Sequence, residues 1–263
     1  MKKNNYSLTI GWLYPDLMST YGDRGNIIVL TKRCEWRGID VKILPINQKT
    51  TSNELQAIDF IFGGGSQDRE QEIVMRDLRG EKEKTLKKLI ENDVPALFVC
   101  GSPQLMGKYY EPAVGQRIEG LGIFDMVSKH PGLNKPRLIG NIAAEIYWKN
   151  FSPKPYTLNA IPSLIVGFEN HGGRTYLGKN AKPFAKVIKG FGNNGEDDTE
   201  GIIYRNAIGC YFHGPLLPKN PEIADFLIQR SLEVKYQKEI VLDKLDDTLE
   251  QKAKAAIVKR LGL

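Results

Sequence analysis

The sequence predicts an α/β protein built on a mostly parallel central sheet. Three observations carry that prediction. In the first part of the chain, short apolar runs alternate with helical patterns across short connections, the pattern of parallel strands joined by helices. Two of these runs end in sharp glycine turns, Phe62-Gly63-Gly64-Gly65 and Val99-Cys100-Gly101. A third run, Ala207 to Phe212, ends in His213-Gly214-Pro215. Ligands of open α/β sheets bind beyond the carboxyl ends of the strands, so these three turns are expected on one edge.

Ser7 to Leu13 is apolar enough for a buried first strand. Asp23-Arg24-Gly25-Asn26 leads into an apolar-periodic segment from Ile27 to Trp36, stopped by Gly38, which reads as a helix with start and stop signals. Cys34 falls within its apolar pattern and reads as core. Val41 to Leu44 is the second strand and Asp59 to Phe62 the third. One long polar helix is expected from Gln71 to Asn92, followed by a fourth strand from Ala96 to Val99.

Between Gly115 and Gly201, glycines, prolines and short β-like runs alternate, which predicts a strand-rich region beside the sheet. Within it, Lys189 to Glu200 reads as a polar loop with no evident packing role. After the run that ends at His213, Asn220-Pro221-Glu222 starts a helix through about Leu232, with proline in its first turn. In the tail, Leu242, Leu245, Leu249, Ala253, Ala256 and Ile257 form one helical stripe, expected to pack on its own domain, with a docking helix for a partner subunit as the other reading. The expected organisation is one domain over residues 1–232 and an amphipathic helical extension over 233–263.

Composition narrows the function classes. Three cysteines in 263 residues are no disulfide framework and suit a reducing, cytoplasmic setting. No apolar run approaches the roughly 20 residues of a membrane span, and Met1 to Tyr6 are followed by no signal-peptide core. The net charge of +6 is scattered among acids and accompanies no nucleic-acid motif. No Gly-Lys-Ser/Thr follows the glycine triplet, which excludes a Walker loop, and the dinucleotide spacing is absent.

The chemistry concentrates at Cys100. A strand, a tight turn and a helix start place a thiol at the bend, as a nucleophile elbow does. Gly101 removes the Cβ that would crowd the turn, and the amides of the following helix favour a thiolate. A thiolate nucleophile needs a base within reach. Of three histidines, His213 closes a strand at the active edge, His171 lies between glycines beside Glu169, and His130 precedes a proline in a loop and reads as bland. Cys210 and His213 have a metal half-site spacing without a second pair, so no metal is expected.

Cys100-Gly101-Ser102-Pro103-Gln104-Leu105-Met106-Gly107 resembles the nucleophile turn of class I glutamine amidotransferases. Phe212 to Pro215 and Gly167 to Thr175 narrow the resemblance to the cobyric-acid-synthase-like branch. Tyr21 to Asn26, the Phe62–Gly65 turn and Gln67-Asp68 narrow it to the glutaminase subunits of lipid II isoglutaminyl synthases, over roughly residues 7–232. The resemblance implies a three-layer, flavodoxin-like amidotransferase domain. It implies Cys100 as nucleophile of glutamine hydrolysis, through a thioester, and His213 as general base and acid. It implies an oxyanion site made by the amides after Cys100 and in the Gly63–Gly65 turn, with Gly64, Gly65 and Gly101 in the substrate site. Arg137 would hold the α-carboxylate of L-glutamine, and Glu169 and His171 would sit at the mouth.

No cofactor is implied for this chain. ATP and magnesium would belong to a Mur-ligase-like partner (MurT type), joined as a heterodimer, which uses the ammonia to amidate D-glutamate of the lipid II stem peptide. Many members carry an acid two residues after the histidine; here that position is Pro215, so a dyad is expected, its orienting acid supplied by the partner or dispensable. The alternatives are a non-catalytic scaffold of the same fold, a free-standing thiol hydrolase of γ-glutamyl compounds, and a glutaminase for corrinoid amidation.

Overall fold

The computed structural model describes residues 5–151 and 163–263. Met1–Asn4, on which part of the leader reading rests, lie outside the described residues. The central layer is a six-stranded sheet. Its strands are β1 (Ser7–Leu13), β2 (Asp40–Ile46), β3 (Phe60–Gly63), β4 (Ala96–Val99), β13 (Ile202–Tyr204) and β14 (Ala207–Cys210), in the order β13-β14-β4-β3-β1-β2. All neighbours pair in parallel except the edge hairpin β13–β14. β3, β4 and β14 are buried at every residue, as strands covered on both faces must be.

Helices α1 (Arg24–Glu35), α2 (Ser52–Leu55), α3 (Asp68–Leu78), α4 (Glu81–Glu91) and α5 (Gly101–Met106) follow the strands, and α6 (Pro221–Tyr236) follows β14. The expected single helix over 71–92 is two. It breaks at Arg79–Gly80, where Gly80 takes φ +87°, a left-handed value that glycine adopts without the Cβ penalty. Two apolar cores flank the sheet, one containing Ile27, Leu30 and Leu227, the other Val74, Leu86 and Leu105.

The strand-rich insertion forms two small sheets. One contains β5 (Tyr109–Glu111), β6 (Ile118–Glu119), β7 (Met126–Lys129) and β10 (Arg174–Leu177). The other contains β8 (Leu138–Ile146), β9 (Leu164–His171), β11 (Ala185–Lys189) and β12 (Thr199–Glu200). The loop from 190 to 198 does have a packing role. Asn193 and Asn194 are buried, and the amides of Phe191 and Gly192 donate to Glu169 at 2.7 and 2.9 Å.

The tail helix α7 (Thr248–Leu261) packs against β8 and β9; of the expected stripe, Leu242 and Leu245 precede the helix and are half-buried, as is Ile257. Leu249 is 76% exposed, and Ala253 and Ala256 are exposed. Ile240 and Leu242, ahead of the helix, pack on the core, and ion pairs hold the helix itself. Lys254, 6% exposed, meets Glu222, and the buried Arg33 donates to Asp247 at 2.6 Å and to Asp225 at 2.6 Å. Among the described residues no helix is long and apolar enough to cross a membrane.

Candidate active site

β4 and β14 lie side by side, with Val99 opposite Cys210. That register brings the Cys100 turn and the chain after Cys210 to one edge, and the Cys100 amide donates to the Cys210 carbonyl at 2.8 Å. Cys100 has φ +56° and ψ −96°, and it immediately precedes α5. A non-glycine residue in this region stores about 1–3 kcal/mol of strain, which the packing around it sustains. The strained turn is the elbow expected from the sequence.

His213 is fully buried, held by a two-way backbone bridge with Phe168. Its Nδ1 lies 2.9 Å from Oδ1 of Asp23, which is also fully buried. Nε2 is buried with no conventional hydrogen-bond partner, beside the Cys100 thiol. Burial disfavours the imidazolium, but the charges of Cys100 and Asp23 outweigh it and push the pKa up to about 10. Tyr21 closes over the ring edge-on, with centroids 4.9 Å apart.

The orienting acid, expected from the partner or not at all, is therefore found within this chain: Asp23 stands against His213 Nδ1. Pro215, where an acid was sought, packs over Gly25, leaving that side of the His213 turn to the Tyr21–Asn26 segment. The same carboxylate corrects the reading of Gly65. Asp23 Oδ2 accepts the Gly65 amide at 2.6 Å, so that N–H is committed and does not face a substrate oxygen. Gly64 packs directly on the Met18 carbonyl, and its own carbonyl accepts the Ser102 hydroxyl at 2.6 Å. Gly101 lets Ser66 close on the elbow: a Cβ there would stand 2.9 Å from the Ser66 amide nitrogen.

Cys100 opens into a cavity of about 730 Å³, lined also by Tyr21, Gln104, His130, Arg137 and His171. Arg137 thus shares the cavity with the thiol, its guanidinium anchored to Oδ1 and the backbone oxygen of Asn170 at 2.9 and 2.8 Å. His171 stacks on Tyr211 at 4.0 Å and donates from Nδ1 to the Gly173 carbonyl at 2.8 Å. Burial drives its pKa down to about 3, so it is neutral with its lone pair on Nε2. Beneath it, Tyr211 is tied to Gln104 at 3.2 Å and to Thr175 at 2.5 Å.

Glu169 is not a mouth residue. It is fully buried and bound to the 190–198 loop, and burial raises its pKa to about 7 against those two amide bonds. Sequence reasoning missed Asp23 as a functional residue and passed over His130, which lines the cavity.

The CobB/CobQ-like glutamine amidotransferase domain matches residues 9–221. The chain belongs to the CobB/CobQ-like glutamine amidotransferase family. Curated relatives cover nearly the whole chain. The lipid II isoglutaminyl synthase (glutamine-hydrolyzing) subunit GatD of Streptococcus pneumoniae is 40% identical, covering 94% of this chain and 88% of that protein. Its counterpart in Staphylococcus aureus is 38% identical, covering 97% and 96%. A probable cobyric acid synthase of Methanothermobacter thermautotrophicus is 24% identical over 62% of this chain and 32% of its own length. Among solved structures, a glutamine amidotransferase from Thermotoga maritima aligns with TM-score 0.52 at 14% identity, covering 95% of this chain and 93% of that one. The glutaminase domain of a Trypanosoma brucei protein aligns with TM-score 0.53 at 12% identity, covering 90% and 96%. These two likenesses agree with the amidotransferase fold that the family assignment carries.

Proposed function

We propose that this chain is the glutamine-hydrolysing subunit of a lipid II isoglutaminyl synthase and that Cys100 is its nucleophile. The observation that carries the proposal is the strained Cys100 at the floor of a cavity, beside a buried histidine that a buried carboxylate orients. The two GatD relatives, alike over nearly their full length, support the choice of reaction.

In the reacting pair His213 carries a proton on Nε2 and Cys100 attacks as the thiolate; the buried Asp23 carboxylate at Nδ1 favours the protonated ring. Sγ attacks the side-chain carbonyl carbon of L-glutamine, and the C=O electrons move onto oxygen. The Gly101 and Ser102 amides at the start of α5 stabilise that oxyanion, an effect worth about 3 kcal/mol per donor. His213 Nε2–H gives its proton to the amide nitrogen, the C–N bond breaks, and ammonia leaves a thioester. Water then attacks the thioester, its proton passes to Nε2, and the C–S bond breaks to release glutamate and restore the thiolate. Asp23 holds the ring with Nδ1–H toward itself throughout.

The ammonia is passed to a Mur-ligase-like partner subunit of the MurT type, which amidates the D-glutamate of the lipid II stem peptide in the cytoplasm. ATP and magnesium belong to that partner. The test is ammonia release from L-glutamine by the full chain, alone and with the partner, beside Cys100→Ala. Release that depends on Cys100 and increases with the partner is expected. No release in either condition would move the scaffold reading to the front.

A further inference from the structure

Two hydrogen-bond donors converge on one part of the cavity wall: Arg137, which the family resemblance already assigns to the substrate, and His130, which it does not. His130 follows β7, and its Nδ1 accepts the backbone N–H of Gly132 at 3.1 Å. A ring nitrogen that accepts carries a lone pair, so this imidazole is neutral with its proton on Nε2. Burial lowers the His130 pKa, Arg174 and Arg137 add to the effect, and Asp68 opposes it, all consistent with a neutral ring. Arg137 is fixed from the other side. Its Nε and Nη2 are committed to Asn170, which leaves Nη1 without an acceptor among the described residues.

The two free donors meet over Gly172. A methyl group placed on that glycine would stand 2.8 Å from His130 Nε2 and 3.3 Å from Arg137 Nη1. Gly172, His130 and Arg137 all line the cavity that contains Cys100. Two N–H donors, one charged, around a spot with no side chain suit a carboxylate, which accepts on both oxygens. His171 cannot share this task. Its proton is on Nδ1 and committed to Gly173, so it offers the cavity a lone pair and no donor.

We propose that His130 Nε2–H is a second donor, beside Arg137 Nη1, to the α-carboxylate of the glutamine whose side-chain amide reaches Cys100. This rests on the glutaminase reading above and makes His130 a specificity-determining residue. The site then selects free glutamine over glutamine whose α-carboxyl is blocked in a peptide or amide bond. His130 and Arg137 come from different strands' ends, after β7 and before β8, so the insertion, and not the central sheet, sets the choice of substrate.

The test compares wild type, His130→Ala, His130→Gln and Gly172→Ala, as full chains with the synthetase partner present. KM for L-glutamine and the inhibition constant of the product L-glutamate are both expected to rise about tenfold in His130→Ala, the scale of one charge-assisted hydrogen bond. kcat is expected to stay within about threefold, since the contact is the same in ground and transition states. His130→Gln keeps an N–H donor and recovers part of the loss. Gly172→Ala leaves both donors in the chain but puts a methyl between them, and gives the same rise in KM. An unchanged KM in His130→Ala, or a fall in kcat with KM and the glutamate constant unmoved, overturns the proposal. Wild-type chain that releases no ammonia in a Cys100-dependent way overturns the glutaminase reading itself, and the two failures are told apart by that control.

Discussion

One carboxylate, Asp23, ties two turns of the active edge together: its Oδ1 lies 2.9 Å from His213 Nδ1, and its Oδ2 accepts the Gly65 amide at 2.6 Å. Both residues of the pair are fully buried, although 190 positions separate them in the chain. An acid fixed at both oxygens cannot rotate away, so the imidazole keeps Nδ1–H toward it and Nε2 toward the thiol. Asn26, one helical turn along, secures the same approach by accepting the Leu217 amide at 2.9 Å.

Asp23→Asn removes the negative charge and allows the amide to impose the wrong tautomer on His213. kcat/KM for glutamine is expected to fall by about 10²–10⁴-fold, the range seen when a triad acid is neutralised. The His213 pKa, raised by both Asp23 and Cys100, drops as well, so the alkaline limb of the pH–rate profile moves to lower pH. Full activity with an unmoved profile would show that Asp23 only braces the glycine turn.

Gly101→Ala separates catalytic geometry from stability. The added methyl would stand 2.7 Å from the Ser66 hydroxyl oxygen and 2.9 Å from its amide nitrogen, so the Ser66 backbone must retreat from the elbow. Alanine at a helix position is worth about 1 kcal/mol over glycine, which offsets the local strain. A fall in kcat of about 10²-fold is expected with Tm nearly unchanged, because sub-ångström misplacement of the reacting groups is costly. Parallel loss of kcat and Tm would mean that the glycine serves folding alone.

Glu200 is fully buried beside the segment that leads from β14 to His213, accepting the Tyr211 amide at 2.7 Å, with its second oxygen unpaired. Burial pushes its pKa from 4.5 to about 8, with a further contribution from Glu169. Between those two values the unfolded chain releases a proton that the native chain keeps. Native stability therefore falls as pH rises from about 4.5 to about 8, and this part is fully present only below that window. Glu200→Gln, which cannot ionise, is expected to be more stable than wild type at pH 8 by about 1–3 kcal/mol and to lose that advantage near pH 4.5. Denaturation curves at the two pH values decide it; a constant difference would show that Glu200 ionises at no cost in the fold.

Much of the site was legible because its signals are local. A buried run, a cysteine and a glycine define the elbow at Cys100, and an apolar run before Gly-Pro points to His213, although the strand itself stops at Cys210 and His213 is held by its bridge to Phe168. Asp23 was not legible for a physical reason. An aspartate before an apolar-periodic segment is a helix-start signal, yet Asp23 makes no capping hydrogen bond, and its carboxylate is spent entirely on tertiary partners. The tail misled similarly: Leu249, Ala253 and Ala256 have helical spacing, but the ion pairs of Lys254, Arg33 and Asp247 decide which face docks. His130 looked bland because its tautomer depends on the Gly132 amide, and its partner Arg137 reaches it only through the β8–β9 pairing that brings Arg137 beside Asn170.

The most direct measurement of the central claim is the site of covalent capture by an electrophilic glutamine analogue, such as its diazoketone, read by mass spectrometry of the full chain. The three cysteines are an internal control, since Cys34 and Cys210 are fully buried and burial holds both thiols protonated. One adduct per chain on Cys100, slowed by excess L-glutamine and by Asp23→Asn, is the predicted result. No adduct on Cys100 in the presence of the partner, or labelling that L-glutamine does not protect, would contradict it.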